Sequence, residues 1–261
     1  MHTPRKRFGQ HFLTDRFIIE RMIDLIDPTE DKHFVEIGPG QGILTSELLA
    51  RGAQVTAIEI DRDLVALLDK SYGSDPKFSL VSADALKTDI APLVGEKKAY
   101  IVGNLPYNIS TPLLNHLFSQ IGHVIEMNFM LQKEVVARMC AAHASSDFGR
   151  LSIHTQIHCQ ATTILHVPPE AFSPPPKVDS AVIRLTPHHH QLTPEHRSVL
   201  ARLTQQAFSQ RRKMIKTSLG DICSEEELQA HNIGPNSRPD TVAVSTYVAL
   251  AKYILERDDD Q

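Results

Sequence analysis

Hydrophobic positions along the first 150 residues follow two alternating patterns. Short continuous apolar runs, typical of buried strands, alternate with stretches in which apolar residues recur every three or four positions, as on one face of a helix. The predicted strands are residues 34–37, 55–58, 78–81, 100–102 and 124–131, and the predicted helices are residues 18–26, 43–51, 62–70, 110–120 and 133–142. Asp61 is placed to cap the third of these helices. The alternation predicts an α/β domain whose mostly parallel sheet is covered by helices on both faces.

The pattern changes after residue 150. Two further strands are predicted at residues 164–167 and 180–185, and the segment between them contains the consecutive prolines Pro174, Pro175 and Pro176, which favour a stiff extended loop. From residue 194 onward the apolar spacing is helical. We therefore predict an α/β domain over residues 1–187 and a small all-helical domain over residues 188–261.

Candidate binding residues stand at the carboxyl ends of the predicted strands, where parallel sheets bind their ligands. Gly38, Gly40 and Gly42 follow the first strand, and their spacing differs from the dinucleotide fingerprint, so a pyrophosphate is not predicted. Glu59 at the end of the second strand can accept hydrogen bonds from ribose hydroxyls, and Asp84 after the third can accept one from an adenine amino group. Together these residues indicate an adenosine-bearing cofactor without phosphates, such as S-adenosylmethionine.

The fourth strand is followed by Asn104-Leu105-Pro106-Tyr107. The side-chain oxygen of Asn104 and a backbone carbonyl of Leu105 or Pro106 can accept both N–H bonds of the exocyclic amine of a base, which makes its nitrogen more nucleophilic. Tyr107 can stack on the base. The alternative is a strand end with a proline turn and a tyrosine in the core. Phe172, just before the prolines, is either a second stacking residue or a core residue.

Composition places the chain among ordinary globular proteins, with 41% hydrophobic and 22% charged residues in a length of 261. It contains no apolar run long enough to span a membrane, and its basic N-terminus lacks the apolar region of a secretory signal. Cys140, Cys159 and Cys223 are far apart and odd in number, which predicts reduced thiols in the cytosol and no zinc site. We expect no metal and a cytoplasmic location.

The net charge of −4 argues mildly against a nucleic-acid-binding protein, but the distribution of charge matters more than its sum. Arg211, Arg212 and Lys213 form a basic cluster in the predicted helical domain. Such a cluster can contact RNA phosphates or simply form a solvated face.

The ordered set of motifs resembles the ribosomal RNA adenine dimethyltransferases over most of the chain. The motifs are FGQHFL at residues 8–13, EIGPG at 36–40, EIDRD at 59–63, DA at 84–85, GNLPYNIS at 103–110, MLQKEV at 130–135, GRLS at 149–152, FSPPPKVDS at 172–180 and QRRK at 210–213. Each motif is weakly specific by itself, whereas the whole set in this order is highly specific and favours the bacterial type.

The resemblance implies a Rossmann-like class I methyltransferase domain that uses S-adenosyl-L-methionine. It implies N6,N6-dimethylation of two adjacent adenines in the 3′-terminal hairpin loop of 16S rRNA, in the small ribosomal subunit, and a role in subunit biogenesis. We expect a monomer with no membrane partner.

The family pattern also implies roles for individual residues. His11 and Leu13 would line the cofactor site and Gly38 would form its loop, while Glu59 would hold the ribose and Asp84 the adenine. Asn104 would lie at the junction of cofactor and target base. Some family members carry Asn where this chain has His11.

Two alternatives remain open at this point. The enzyme could act on adenine in DNA or in large-subunit rRNA, because such methyltransferases share most motifs. Alternatively, the chain could be an rRNA-binding ribosome-assembly factor without turnover. The intact motif at residues 104–107 argues against lost catalysis.

Overall fold

The computed structural model describes residues 11–106, 109–189 and 192–259. The chain forms two compact units. The first unit comprises Met1–Val136 and Thr162–Pro187, and the second comprises Ala137–Ala161 and His188–Gln261. The sequence-based division after residue 187 stays a prediction, and it differs from the compact units in the position of Ala137–Ala161, which had been assigned to the first domain.

A seven-stranded sheet and a two-stranded sheet contain the strands of the described residues. The strands are β1 (Phe12–Leu13), β2 (His33–Ile37), β3 (Gln54–Glu59), β4 (Phe78–Ser82), β5 (Ala99–Asn104), β6 (Val124–Gln132), β7 (Cys159–Val167), β8 (Phe172–Ser173) and β9 (Ser180–Pro187). The large sheet has the order β4-β3-β2-β5-β6-β9-β7. Strands β2 to β6 pair in parallel, and β9 pairs antiparallel with β6.

Helices alternate with the parallel strands, as the hydrophobic pattern predicted. They are α1 (Arg16–Ile26), α2 (Ile43–Ala50), α3 (Arg62–Tyr72), α4 (Ala91–Val94), α5 (Ser110–Ser119), α6 (Lys133–Cys140), α7 (Arg150–Gln156), α8 (Pro194–Ser209), α9 (Ile215–Leu219), α10 (Glu225–Ala230) and α11 (Val244–Asp259). The predicted fold class, a mostly parallel Rossmann-like sheet with helices and a helical C-terminal region, is therefore confirmed.

Local sequence explains how these elements begin. The predicted cap of α3 is present, because the carboxylate of Asp61 accepts the N–H of Asp63 at 3.0 Å. Asp15 caps α1 in the same way through the N–H of Ile18. Helix α1 buries one face, formed by Ile18, Ile19, Met22, Ile23 and Ile26. These helices are therefore specified by side-chain caps and by an apolar face of helical period.

The core of the first unit lies between its sheet and helices. Strands β2 and β3 are almost continuously apolar, because helices cover both faces of a parallel sheet and leave no polar face. Two buried carboxyl groups interrupt this pattern: Glu36 within β2 is 1% exposed, and Glu59 at the end of β3 is 5% exposed. Burying a charged carboxylate costs free energy, so such a group is expected to have a function or to be protonated.

The second unit has its own hydrophobic core. Tyr247 is fully buried in α11, and its hydroxyl donates to the carbonyl of Pro239 at 2.9 Å. Phe148 and Ile153 belong to the same cluster as Leu203 of α8. These shared apolar contacts explain why Ala137–Ala161 groups with the helical unit. None of the described helices is long and apolar enough to cross a membrane.

Candidate cofactor and substrate site

The carboxyl ends of β2, β3, β4 and β5 surround one cavity of about 350 Å³ in the first unit. This volume is in the range of small-molecule sites. All six residues predicted to bind the cofactor line it: His11, Leu13, Gly38, Glu59, Asp84 and Asn104. Leu105 and Pro106 line it as well. Tertiary structure thus brings together residues far apart in the chain, such as His11 and Asn104, which are separated by 93 positions.

The glycine loop allows close approach to the backbone at one edge of the cavity. Gly38 has φ +64°, and a methyl group added there would meet no atom within 4 Å. Gly42 has φ +81° and is the N-cap residue just before α2, and an added methyl group would lie 2.8 Å from the ring of Tyr72. Both positions require glycine for their backbone conformation, but only Gly38 borders open space.

Glu59 is held in one orientation by three backbone donors. Its Oε1 accepts the N–H groups of Ile60 and Asp61, each at 2.9 Å, and its Oε2 accepts the N–H of Gly40 at 3.3 Å. Burial raises the pKa of Glu59, whereas these N–H groups stabilise its anion and oppose the rise. Because a carboxylate oxygen can accept two hydrogen bonds, Oε2 retains capacity for a further donor.

Asp84 is presented to the cavity by a tight turn after β4. Its Oδ1 accepts the N–H of Leu86 at 3.0 Å, and its carbonyl accepts the N–H of Lys87 and the hydroxyl of Thr88, each at 2.9 Å. The other carboxylate oxygen, Oδ2, has no donor among the described residues. The turn thus positions one acceptor at the edge of the cavity.

The amide of Asn104 is oriented by the N-terminal segment. Its Nδ2 donates to the carbonyl of His11 at 2.9 Å, so Oδ1 is the group that can accept a hydrogen bond from a ligand. The imidazole of His11 lies with its Nδ1 2.8 Å from the carbonyl oxygen of Pro174. His11 therefore links Asn104 to the segment that follows β8.

The two backbone carbonyls after β5 differ in the hydrogen bonds that they accept from the described residues. The carbonyl of Pro106 accepts the N–H of Ile109 at 3.2 Å and the hydroxyl of Ser110 at 3.3 Å. Within residues 11–106, 109–189 and 192–259, the carbonyl of Leu105 has no donor. Leu105 is itself fixed by its N–H, which donates to the carbonyl of Met130 at 3.2 Å. Among the described residues, Oδ1 of Asn104 and the carbonyl of Leu105 are thus the better candidates for the acceptors at this turn.

The two residues predicted to stack on the base are Tyr107 and Phe172. Tyr107 lies outside the described residues. Phe172 is 4% exposed, belongs to the core cluster and does not line the cavity. The structure therefore favours the alternative of core packing for Phe172. Its backbone pairs with Leu13, which brings β1 and β8 together beside the cavity. The stacking role of Phe172 stays a prediction and would require its ring to become exposed.

Glu36 is the residue to which the sequence analysis assigned no role. It lines the cavity, and the hydroxyl of Thr45 donates to its Oε2 at 2.5 Å. Burial raises the pKa of Glu36 to about 7, and the nearby charge of Glu59 contributes to this rise. A charged residue inside the apolar run 34–37 was the signal that could have identified it.

The lining of the cavity is acidic. Its described residues include Glu36, Glu59 and Asp84 but no lysine or arginine. This suits a cationic ligand, and S-adenosylmethionine carries a sulfonium and an ammonium group against a single carboxylate. The open space beside Gly38 and the unused acceptors also fit this cofactor. No group of three or more His, Cys, Asp or Glu side chains in the described part of the chain is placed to hold a metal ion.

The basic cluster belongs to the second unit, and its members differ. Arg211 donates to the carbonyl of Ser146 at 2.5 Å and lies 3.6 Å from the carboxylate of Asp240, so these two contacts hold its side chain, and its role in RNA binding stays a prediction. Arg212 and Lys213 are exposed, and their side chains form no hydrogen bond or ion pair with the described residues. These two side chains are the better candidates for phosphate contacts.

A mostly parallel sheet with a glycine loop and acidic side chains around a cavity at its strand ends defines a Rossmann-like, S-adenosylmethionine-dependent methyltransferase. The family model described as ribosomal RNA adenine dimethylase matches residues 1–256. The chain belongs to this family, so the resemblance, the cofactor and the class of enzyme predicted from the sequence are confirmed.

Individual relatives agree with this assignment. The chain is 46% identical over 257 residues to the ribosomal RNA small subunit methyltransferase A of Pseudomonas aeruginosa, covering 98% of this chain and 96% of the relative. A crystal structure of a dimethyladenosine transferase from Plasmodium falciparum is 25% identical, with a TM-score of 0.82 over 95% of this chain and 98% of the other. The 23S rRNA methyltransferase ErmE is 25% identical, with a TM-score of 0.74 over 94% and 99%.

Proposed function

We propose that this enzyme dimethylates N6 of two adjacent adenines in the 3′-terminal hairpin loop of 16S rRNA, and that it does so during biogenesis of the small ribosomal subunit. The relative from Pseudomonas aeruginosa, named for the small subunit, is 46% identical to the chain, whereas ErmE, named for 23S rRNA, is 25% identical. The observation that carries the chemistry is the pair of acceptors beside the cavity, Asn104 Oδ1 and the carbonyl of Leu105.

In this proposal the cofactor is held by the residues that line the cavity. Oε2 of Glu59 accepts from the ribose, and Oδ2 of Asp84 accepts from the adenine of the cofactor. Leu13 forms an apolar wall, and the absence of a side chain at Gly38 lets the cofactor approach the backbone closely. His11 lines the cavity, and its carbonyl fixes the amide of Asn104. The cofactor, when bound, supplies the methyl group.

The target amine is activated by hydrogen bonding at its two N–H bonds. Oδ1 of Asn104 accepts one and the carbonyl of Leu105 accepts the other, which draws the nitrogen lone pair out of conjugation with the ring. Pro106 holds the turn rigid, because its ring fixes φ and its carbonyl is already bonded. Tyr107 stacks on the base in this proposal.

No strong base is required at the site. The amine becomes acidic only after it has gained the methyl group, and its proton can then pass to water. Most of the rate enhancement therefore comes from positioning of the amine, which the two fixed acceptors provide. Flipping the adenine from its loop costs a few kcal/mol, and this cost is lowest for unpaired bases.

We further propose that Arg212 and Lys213 contact RNA phosphates, and that the protein acts as a monomer in the cytoplasm. Their side chains are exposed and lack protein partners in the described part of the chain. Arg211 contributes mainly by stabilising the second unit through Asp240.

The test is transfer of labelled methyl groups from S-adenosylmethionine to small ribosomal subunits that lack adenine dimethylation, followed by digestion to nucleosides. Large subunits and duplex DNA serve as parallel substrates. Label in dimethyladenosine from small subunits alone is the expected result. Label in large-subunit RNA or DNA would retain the chemistry and refute the substrate. Cofactor binding without transfer to any substrate would favour the assembly factor.

The ribose role of Glu59 has its own test. Glu59→Ala is expected to weaken cofactor binding by about tenfold or more, because a hydrogen bond to a charged acceptor contributes about 1.5–3 kcal/mol. Binding is measured by calorimetry, and thermal unfolding without cofactor reports any damage from the loss of the bond to Gly40. Unchanged affinity in a folded variant would contradict the role.

A further inference from the structure

Two buried carboxyl groups line the same cavity but differ in how they are stabilised. Glu59 accepts three backbone N–H bonds, which favour its anion. Glu36 is 1% exposed, and Thr45 is the residue that donates to it. Thr45 acts on the carboxyl group of Glu36 through both its hydroxyl and its backbone N–H, so one residue supplies these donors. When one proton is available to the pair, Glu36 is therefore the group that holds it.

We propose that Glu36 responds to the charge of the cofactor, giving up its proton when S-adenosylmethionine binds and regaining one when the uncharged product, S-adenosylhomocysteine, occupies the site. This inference rests on the cofactor assigned above. It makes Glu36 a specificity-determining residue that favours exchange of product for fresh cofactor.

The physical reason is the difference in charge between the two ligands. S-adenosylmethionine has a net charge of +1 because of its sulfonium, and S-adenosylhomocysteine has a net charge of zero. A cation in a partly shielded cavity stabilises a neighbouring carboxylate by an energy that depends inversely on their distance. The neutral product provides no such stabilisation, so Glu36 returns to its protonated form.

The surroundings of Glu36 support this behaviour. Burial and the charge of Glu59 on the neighbouring strand β3 raise the pKa of Glu36 to about 7, so a small change in field alters its protonation near neutral pH. Helix α2 contributes the uncharged donor Thr45. Asp84 after β4 and His11 before β1 are the other titratable groups that line the cavity. The lining includes no lysine or arginine among its described residues that could hold Glu36 permanently ionised.

The proposal has a consequence for turnover. Dimethylation of two adenines requires several successive transfers, and each leaves S-adenosylhomocysteine in the site. A carboxyl group that is ionised only beside the cation stabilises the charged cofactor selectively. We expect it to favour S-adenosylmethionine over S-adenosylhomocysteine by about tenfold, the effect of one charge pair about 12 Å apart at an effective dielectric of about 20, and by more if the charges lie closer.

The test is isothermal titration calorimetry of the purified full-length protein at pH 7, in buffers with different ionisation enthalpies. The dependence of the binding enthalpy on buffer gives the number of protons released. A carboxyl group with a pKa of about 7 is half protonated at this pH, so S-adenosylmethionine is expected to release about half a proton and S-adenosylhomocysteine about none. The affinity for S-adenosylmethionine is expected to fall as pH decreases below 7.

Variants assign the proton to its residue. Glu36→Gln is expected to abolish the release and reduce the preference for S-adenosylmethionine about tenfold, whereas the exposed control Glu20→Gln is expected to retain both. Thr45→Val, which removes the hydroxyl donor, is expected to increase the release at pH 7 and provides a second test should Glu36→Gln not fold.

Each outcome has one meaning. Proton release with S-adenosylmethionine alone that is lost in Glu36→Gln supports the proposal. Binding of S-adenosylmethionine without proton release, or with the same release in Glu36→Gln, refutes the role of Glu36 and leaves the proposed function intact. Failure of the folded wild-type protein to bind either ligand refutes the cofactor assignment, and with it this inference.

Discussion

Replacement of Glu36 by glutamine is expected to change how the stability of the ligand-free protein depends on pH. The folded protein raises the pKa of this carboxyl group from 4.5 to about 7. Between these values the folded state retains a proton that the unfolded state has lost, so the free energy of unfolding decreases as pH rises. Above pH 7 the full penalty is present, and it amounts to about 3 kcal/mol at 1.36 kcal/mol per pKa unit.

Glu36→Gln removes this penalty, because an amide does not ionise. The free energy of unfolding of the variant minus that of the wild-type protein is expected to increase by about 2–3 kcal/mol from pH 5 to pH 8. Any change in packing or in the bond with Thr45 that is independent of pH cancels when the values at the two pH values are subtracted.

The assay is urea-induced unfolding of both proteins without cofactor, at several pH values from 5 to 8, with Glu20→Gln as the exposed control. The stability difference between Glu36→Gln and wild type is expected to grow with pH, whereas the control is expected to follow the wild type. A difference that stays constant across this range would show that Glu36 titrates normally in the folded protein and would refute the reasoning.

The remaining predictions concern catalysis, RNA binding and folding. Asn104→Ala is expected to keep cofactor affinity within a few-fold and to lower methyl transfer by about 100-fold or more, as for loss of one positioned polar group; lost cofactor binding in calorimetry would instead indicate a structural role. Reversing the charges of Arg212 and Lys213 is expected to weaken RNA binding and to reduce the slope of log affinity against log salt by about one to two, with Lys252→Glu as an exposed control; an unchanged slope would exclude phosphate contacts. Gly42→Ala is expected to destabilise the protein by about 1–2 kcal/mol, because φ is +81° and its methyl group would lie 2.8 Å from an aromatic ring; equal unfolding midpoints would contradict this.

Strong periodic signals made the fold class predictable from the sequence. Strands buried on both faces must be almost entirely apolar, and helices between them must carry an apolar face, so both leave a pattern along the chain. The two-residue strands β1 and β8 leave no such pattern, because their pairing joins segments 160 residues apart and buries few side chains. Periodicity cannot detect a contact of this kind.

The candidate site was predictable in its members but not in its geometry. Gly38, Glu59, Asp84 and Asn104 follow predicted strands, and parallel strands place their carboxyl ends at one edge of the sheet. The proposed choice of Leu105 over Pro106 as acceptor rests on which carbonyl already accepts hydrogen bonds, and that depends on the folded turn.

The sequence by itself determined the α/β fold, the family and the set of residues around the cavity, because these follow from local periodicity and from motifs in a fixed order. Tertiary structure decided the properties that depend on neighbours distant in the chain. His11 orients Asn104, the core encloses Phe172, and Asp240 pairs with Arg211. The protonation of Glu36 belongs to the same class, because desolvation and the field of a nearby carboxylate exist only once the strands have assembled.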